Sequence, residues 1–232
     1  MVCNCCGGTN FVSMKRRPNI RCANCGSVER TRAMRLVLEV LDLPKPSSRV
    51  LHFAPERGLH SWLRERASEG YEPVDFMPKR YKWAGARKFD LTTDAERLES
   101  ETYDLIVHSH VMEHIRCNVT AVLFHLHRAL KPDGVQICCI PFAPARRYAE
   151  SFEELSAEEA TARFGQHDHV RRFGALDAAH TVGMIFNLPD YNLRDFVSEE
   201  ALVKHNIPGY AWTGLTPHTI LVLPKANIRL RA

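Results

Sequence analysis

Tyr103-Asp104-Leu105-Ile106-Val107-His108-Ser109-His110-Val111-Met112-Glu113-His114-Ile115 decides the fold. Its first half is an apolar run of strand length, and it turns polar abruptly with histidines, a serine and a glutamate. Downstream, a helix predicted over residues 117–130 sets Val119, Leu123, Leu126 and Leu130 on one face. Lys131-Pro132-Asp133-Gly134 stops it, and Val135–Ile140 reads as the next strand. Upstream, Val50-Leu51-His52-Phe53 is a first strand. Residues 58–68 suit a helix with Leu59, Trp62, Leu63 and Ala67 on one face. Tyr71–Phe76 holds a second strand ending at Asp75, and Lys88–Leu91 is a short third. Gly183–Leu188 and Thr219–Leu223 predict a closing antiparallel hairpin, with a helix over 198–206 between them. Such alternation predicts an α/β fold: a doubly wound, mostly parallel seven-stranded sheet with ligands at the carboxyl ends of its strands.

Residues 49–141 resemble the class I S-adenosylmethionine-dependent methyltransferases, type 11-like. Two motifs carry the resemblance: the quoted strand with its His110–Ile115 continuation, and Leu126-His127-Arg128-Ala129-Leu130-Lys131-Pro132-Asp133-Gly134, at the separation that family shows. The first loop departs from the pattern. Where the family has an acidic residue and three glycines, this chain has His52-Phe53-Ala54-Pro55-Glu56-Arg57-Gly58, which resembles the Ala-Pro-Glu loop of a zinc-ribbon subset. The resemblance implies S-adenosyl-L-methionine as cofactor, held by Ala54, Glu56, Gly58, Asp75, Phe76, Asp90, Leu91 and His108. Glu56 would meet its α-ammonium. Asp75 would accept hydrogen bonds from both ribose hydroxyls, and Asp90 and Leu91 would flank the adenine.

At the N-terminus, Cys3, Cys6, Cys22 and Cys25 form C-x2-C-x15-C-x2-C. Two knuckles at this spacing predict a closed four-thiolate Zn2+ site. Gly7 and Gly26 follow each knuckle, where positive φ is needed. Cys5 is left over. The reading divides the chain into a zinc ribbon (1–30), a connecting helix and linker (31–46, with the helix beginning near 28) and a methyltransferase domain (47–232). Within the last, substrate insertions fall at about 142–175 and 189–217.

The formal charge of +4 is uneven: residues 1–35 hold seven Lys or Arg and one Glu, so they carry +6 and the remainder −2. Arg30, Arg32 and Arg35 fall off the apolar face of the connecting helix. A basic head on a nearly neutral body fits either an anionic partner such as RNA or a solvated surface. No apolar run approaches the ~20 residues of a membrane span, so no membrane partner and a cytoplasmic location are expected. Oligomeric state is not legible.

Phe164-Gly165-Gln166-His167-Asp168-His169-Val170-Arg171-Arg172-Phe173-Gly174 is the least ordinary stretch, and it resembles a stretch found in the methyltransferases named above. His169 or His167 is the expected catalytic base, with Asp168 orienting it; His110 is a further candidate. Arg171 and Gln166 are expected to hold substrate. Neighbours in one loop seldom supply a full metal-ligand set, so residues 167–169 are not expected to bind a metal by themselves. Together these features predict a methyltransferase acting on a small or medium-sized metabolite. The alternatives are an RNA methyltransferase gripping RNA through the head, and a non-catalytic module with a degenerate cofactor fold.

Overall fold

β3 (Val50–Phe53) is buried at every position and lies between β4 (Tyr71–Asp75) and β6 (Tyr103–Ser109), parallel to both. With β5 (Arg87–Lys88), β7 (Leu130–Cys139) and β11 (Ile220–Pro224) they form one sheet, ordered β11-β7-β6-β3-β4-β5, with only β11 antiparallel. These facts come from a computed structural model, which describes residues 1–14, 17–188 and 190–230. Lys15 and Arg16 of the basic head, and Pro189 at the start of the second expected insertion, lie outside the described residues.

The sheet has six strands among the described residues, not seven. Residues expected as a strand at 183–188 instead form a short helix, α5 (Val182–Ile185), and only Phe186 bridges, to Ile228. β11 therefore pairs β7 without a hairpin partner. Lys131–Gly134, expected as a stop, lies inside β7, where the register with β6 slips between Tyr103 and Leu105.

Both faces of the sheet are covered, which explains why its central strands read as continuous apolar runs. On one face Leu51, Val74 and Ile106 pack with Val122, Leu123 and Leu126 of α3 (Val119–Arg128). On the other, Val50, Leu105 and Val107 pack with Met34, Val37 and Leu38 of α1 (Glu29–Val40) and Leu59 and Leu63 of α2 (Arg57–Ala67). Arg32 of α1 is fully buried rather than on a polar face. Its guanidinium donates to the carbonyls of Ser27 (2.9 Å), Ile20 (3.0 Å), His205 (2.8 Å) and Asn206 (2.8 Å). Burial of so many donors is tolerable because each meets an acceptor.

The N-terminal hairpin, β1 (Phe11–Met14) and β2 (Arg17–Cys22), sits beside two matched turns. Gly7 N–H donates to Cys3 O at 2.8 Å and Gly26 N–H to Cys22 O at 2.9 Å, both glycines at φ +74°. A small sheet ordered β8-β10-β9 (Phe142–Ala143, Arg171–Gly174, Ala149–Glu150) carries the insertion after β7. Within it, α4 (Ala157–Phe164) starts at a Ser156–Glu159 capping box and ends at Gly165 in the left-handed region, φ +91°. That turn sends residues 166–170 back across the carboxyl ends of the main strands. The remaining helix, α6 (Glu199–Lys204), was expected over 198–206. Among the described residues no helix is long and apolar enough to cross a membrane.

Candidate active site

The chain moves from β3 outward to β4 and β5, then returns past β3 to β6. That reversal opens a crevice at the carboxyl ends of β3 and β6, where α/β sheets bind ligands. A cavity of about 560 Å3 occupies it. Phe53, Ala54, Asp75, Phe76, Asp90 and Leu91 line one side. Asp75 spends Oδ1 on the Met77 N–H (2.6 Å), and burial raises its pKa. Asp90 Oδ1 accepts from the Thr92 N–H (2.9 Å). Met77, Arg80 and Tyr81 also line the wall. They lie on the turn after β4, which carries no strand or motif signal.

The opposite side carries His110, Val111, His114, Ile115, Arg116 and Asp168. His110 is held at φ +55°. Its Nε2–H donates to Pro217 O (2.9 Å), which leaves Nδ1 as an acceptor 3.4 Å from Glu113 Oε1. The His114 Nδ1–H donates to Asp168 O (3.2 Å), and its Nε2 faces the same Glu113 oxygen at 4.0 Å. His169 stacks edge-on against His114, ring centres 4.8 Å apart. Glu113 is almost fully buried, neither of its carboxyl oxygens has a hydrogen-bond partner among the described residues, and desolvation pushes its pKa up to about 8.

A second cavity of about 280 Å3 lies between the N-terminal head and the loop after β3, lined by Arg21, Cys25, Ser27, Arg30, Thr31, Glu56 and Gly58 among others. Glu56 Oε1 accepts from Thr31 Oγ1 (3.0 Å) and lies 3.6 Å from Arg30, whose Nε–H donates to Ser109 Oγ (3.2 Å). Glu56 Oε2 is buried without a partner among the described residues.

The sequence model of a family described as "Methyltransferase domain" matches residues 27–181. The chain belongs to that family and is an S-adenosylmethionine-dependent methyltransferase. Its fold is similar to that of an S-adenosylmethionine-dependent methyltransferase from Mesorhizobium loti (13% identity, TM-score 0.54, covering 85% of this chain and 97% of that one). Looser likeness extends to a complex between the Haloferax volcanii Trm112 methyltransferase activator and a candidate methyltransferase (13% identity, TM-score 0.47, 83% and 89% covered). It extends also to the YcgJ protein of Bacillus subtilis (15% identity, TM-score 0.41, 75% and 78% covered). No curated protein matches.

Several expected site residues of the methyltransferase lie elsewhere. His108 is fully buried, accepts from Gln136 Nε2 (2.9 Å) and is driven to a pKa of about 3 by desolvation, so it belongs to the core and not to the cofactor wall. Gly58 faces the head: a Cβ there would lie 3.1 Å from Cys5 Sγ and 3.1 Å from Ser27 Cβ. Arg171 is fully buried; it donates to Met112 O and, at 2.7 Å, to Cys117 O, and pairs with Glu150 at 3.4 Å. It fastens the loop after β6 and has no face toward a substrate. His167 and Gln166 are exposed, and Gln166 donates to Asp168 Oδ1 (2.8 Å). Asp168 approaches His114 (3.5 Å from Oδ2 to Nδ1), not the expected His169 or His167. Of the residues expected to do chemistry, His110, Asp168 and His169 come together, joined by Glu113 and His114. The signal for that pair was the Glu113-His114 dipeptide after the fourth strand. Arg30 was missed because a helix surface arginine gives no sign of reaching β6.

Proposed function

We propose that the methyltransferase binds S-adenosyl-L-methionine with its adenosine part in the larger cavity and its methionine part toward Glu56 and Arg30, and methylates a small or medium-sized metabolite. The observation that carries this reading is the two-sided cavity, with carboxylates Asp75 and Asp90 on one wall and a histidine cluster on the other. Asp75 suits the ribose hydroxyls. The unpartnered Glu56 Oε2 suits the α-ammonium, and Arg30 suits the carboxylate. Ala54 and Leu91 complete the adenosine wall, with Phe76 at its rim.

When bound, the cofactor supplies an electrophilic methyl group on a sulfonium. The chain has to align the acceptor with that methyl and exclude water. Residues 164–174 close the acceptor side and bring Asp168 to the cavity wall. A proton leaving the acceptor has imidazoles at His110, His114 or His169 within the same cluster. Calorimetry with S-adenosylhomocysteine tests the cofactor reading, and a library of metabolites with methyl-labelled cofactor tests the substrate class. No binding by the intact protein would overturn the first.

The sulfurs of Cys3, Cys6, Cys22 and Cys25 fit a structural Zn2+. They cluster, with Cys3–Cys25 at 3.7 Å and Cys6–Cys22 at 3.5 Å, and Zn–S bonds of ~2.3 Å imply tetrahedral edges of about 3.8 Å. Bound zinc would tie the two knuckles into a ribbon. RNA is the lesser reading, because four of the head's arginines are engaged within the chain. Arg32 is buried, Arg17 pairs with Glu29, Arg35 pairs with Glu39, and Arg30 meets Glu56. Salt-dependent RNA binding by the intact protein would restore it.

A further inference from the structure

Glu113 Oε1 lies 3.4 Å from His110 Nδ1 and 4.0 Å from His114 Nε2. The two imidazoles are each anchored at the other nitrogen, His110 through Nε2–H to Pro217 O (2.9 Å) and His114 through Nδ1–H to Asp168 O (3.2 Å). Those anchors place the ring protons away from Glu113 and leave lone pairs toward it. Among the described residues neither oxygen of the buried Glu113 carboxyl has a hydrogen-bond partner, so its ionisation is costly unless something positive sits between it and the two imidazoles. The nearby arginines do not fill that role. Arg171 is turned to Met112 O, Cys117 O and Glu150, and Arg30 to Ser109 and Glu56. His169 adds a further nitrogen: one ligand atom from each of Glu113, His114 and His169 lies within 4.8 Å of the others.

We propose that Glu113, His114 and His169, with His110 beside them, bind a divalent first-row transition-metal ion on the acceptor side of the cavity. Two imidazole nitrogens and one carboxylate are the donor set that suits manganese, iron, cobalt or zinc and leaves coordination positions open. Asp168 supports it from behind by fixing the His114 tautomer through its carbonyl, as partners of ligating histidines do. The set differs from the run 167–169 weighed on sequence alone: it joins the loop after β6 to a histidine 55 residues later in the chain.

The site specifies a substrate class, and that part rests on the cavity being the methyl-acceptor pocket. A cation with open positions beside the methyl donor favours an acceptor presenting two adjacent oxygens, such as a vicinal diol or a hydroxy-carbonyl group. It lowers the pKa of the hydroxyl it meets. The transfer then balances. With His114 and His169 holding the ion and so unable to take the proton, the hydroxyl proton passes to solvent, its oxygen forms the new C–O bond, and the S–C electron pair returns to sulfur. One methyl ether, one thioether and one proton result.

Cobalt(II) titrated onto zinc-loaded full-length protein is the test. One further equivalent is expected, with visible d–d bands and without the thiolate charge-transfer absorption that the four-cysteine site would give. Glu113→Gln and His169→Ala should each weaken cobalt binding by at least tenfold while S-adenosylhomocysteine affinity, zinc content and melting temperature stay near wild type. Absence of a cobalt site lacking sulfur ligands in wild type, or undiminished binding in both variants, would overturn the proposal. Loss of S-adenosylhomocysteine binding in the wild-type protein would instead overturn the cofactor reading, whatever cobalt does.

Discussion

Gly58 packs directly beneath Cys5. A Cβ built on Gly58 would stand 3.1 Å from Cys5 Sγ and 3.2 Å from Cys5 Cβ, so the first residues of α2 and the cysteine head share one contact surface. Gly58→Ala should destabilise the fold by about 1–3 kcal/mol through overpacking. Adding Cys5→Ala removes Sγ and should recover part of the loss. Urea denaturation of the two single variants and the double variant measures this coupling; strict additivity would show that the two residues do not feel each other.

Asp75→Ala should weaken S-adenosylhomocysteine binding by about 100-fold, the loss of two charge-assisted hydrogen bonds. Its melting temperature should hardly change, because among the described residues the only hydrogen bond of the Asp75 side chain is to a turn N–H. Calorimetry and a thermal scan on one preparation check both, and unchanged affinity would move the ribose site elsewhere.

Arg171→Ala should act on stability rather than on substrate affinity. It leaves Met112 O and Cys117 O without their donor and strips Glu150 of its cationic partner, which costs about 3 kcal/mol. Arg171→Lys should not rescue it, since one ammonium cannot reach three directions at once. The measurement is denaturant unfolding; a normal midpoint with a raised KM would restore the substrate-clamp role.

Zinc content should be one equivalent per chain, and Cys22→Ser should lower it and the melting temperature together. Elemental analysis of the purified protein decides this. Metal-free protein with an unchanged melting temperature would refute a structural zinc.

The acid limb of the stability curve should contain His52. It is buried at the centre of the sheet, shares the Tyr71 hydroxyl with His60 (2.9 and 3.1 Å), and desolvation holds its pKa at about 3 against 6.5 for the free side chain. Its folded pKa is depressed, so the unfolded chain binds the extra proton. Stability is therefore intact above pH 6.5 and declines as pH falls from 6.5 toward 3. Between pH 7 and pH 5 the contribution is about 2 kcal/mol. Urea midpoints of wild type and His52→Gln at the two pH values should differ by that loss, and parallel pH responses would exclude it.

Strands β3, β4, β6 and β7, along with α1, α2, α3 and α6, were legible because burial on a sheet face leaves a periodic or continuous apolar trace. Residues 183–188 carry the same composition as an edge strand, but only Phe186 finds a partner, so the segment coils. Buried cations are a different difficulty. Arg32 and Arg171 look like surface charges until carbonyls from distant segments converge on them, and no local pattern announces that convergence. Gly58 looked like the surviving glycine of a phosphate-free cofactor loop, yet its missing side chain makes room for Cys5. The placement of Asp75, Asp90 and Ala54 at strand ends was legible, and strand ends in this sheet open on the cavity that they line. The Glu113, His114 and His169 cluster was only half visible, because its third member arrives through a separate insertion.

The stitching of Arg32 to the His205 and Asn206 carbonyls, of Val2 N–H to Lys204 O (2.8 Å) and of His205 Nδ1–H to Val2 O (2.9 Å) has a consequence during synthesis. Arg32 and His205 are 173 positions apart. A ribosome adding about 5–20 residues per second needs on the order of 10–35 s to cover that gap. Through that interval the nascent head lacks its C-terminal contacts, and the Arg32 N–H groups that later meet His205 O and Asn206 O face solvent. Cysteines that capture their ion early would give the emerging segment a shape before its docking partner exists. A cell short of zinc would then release chains whose two ends meet late and out of order.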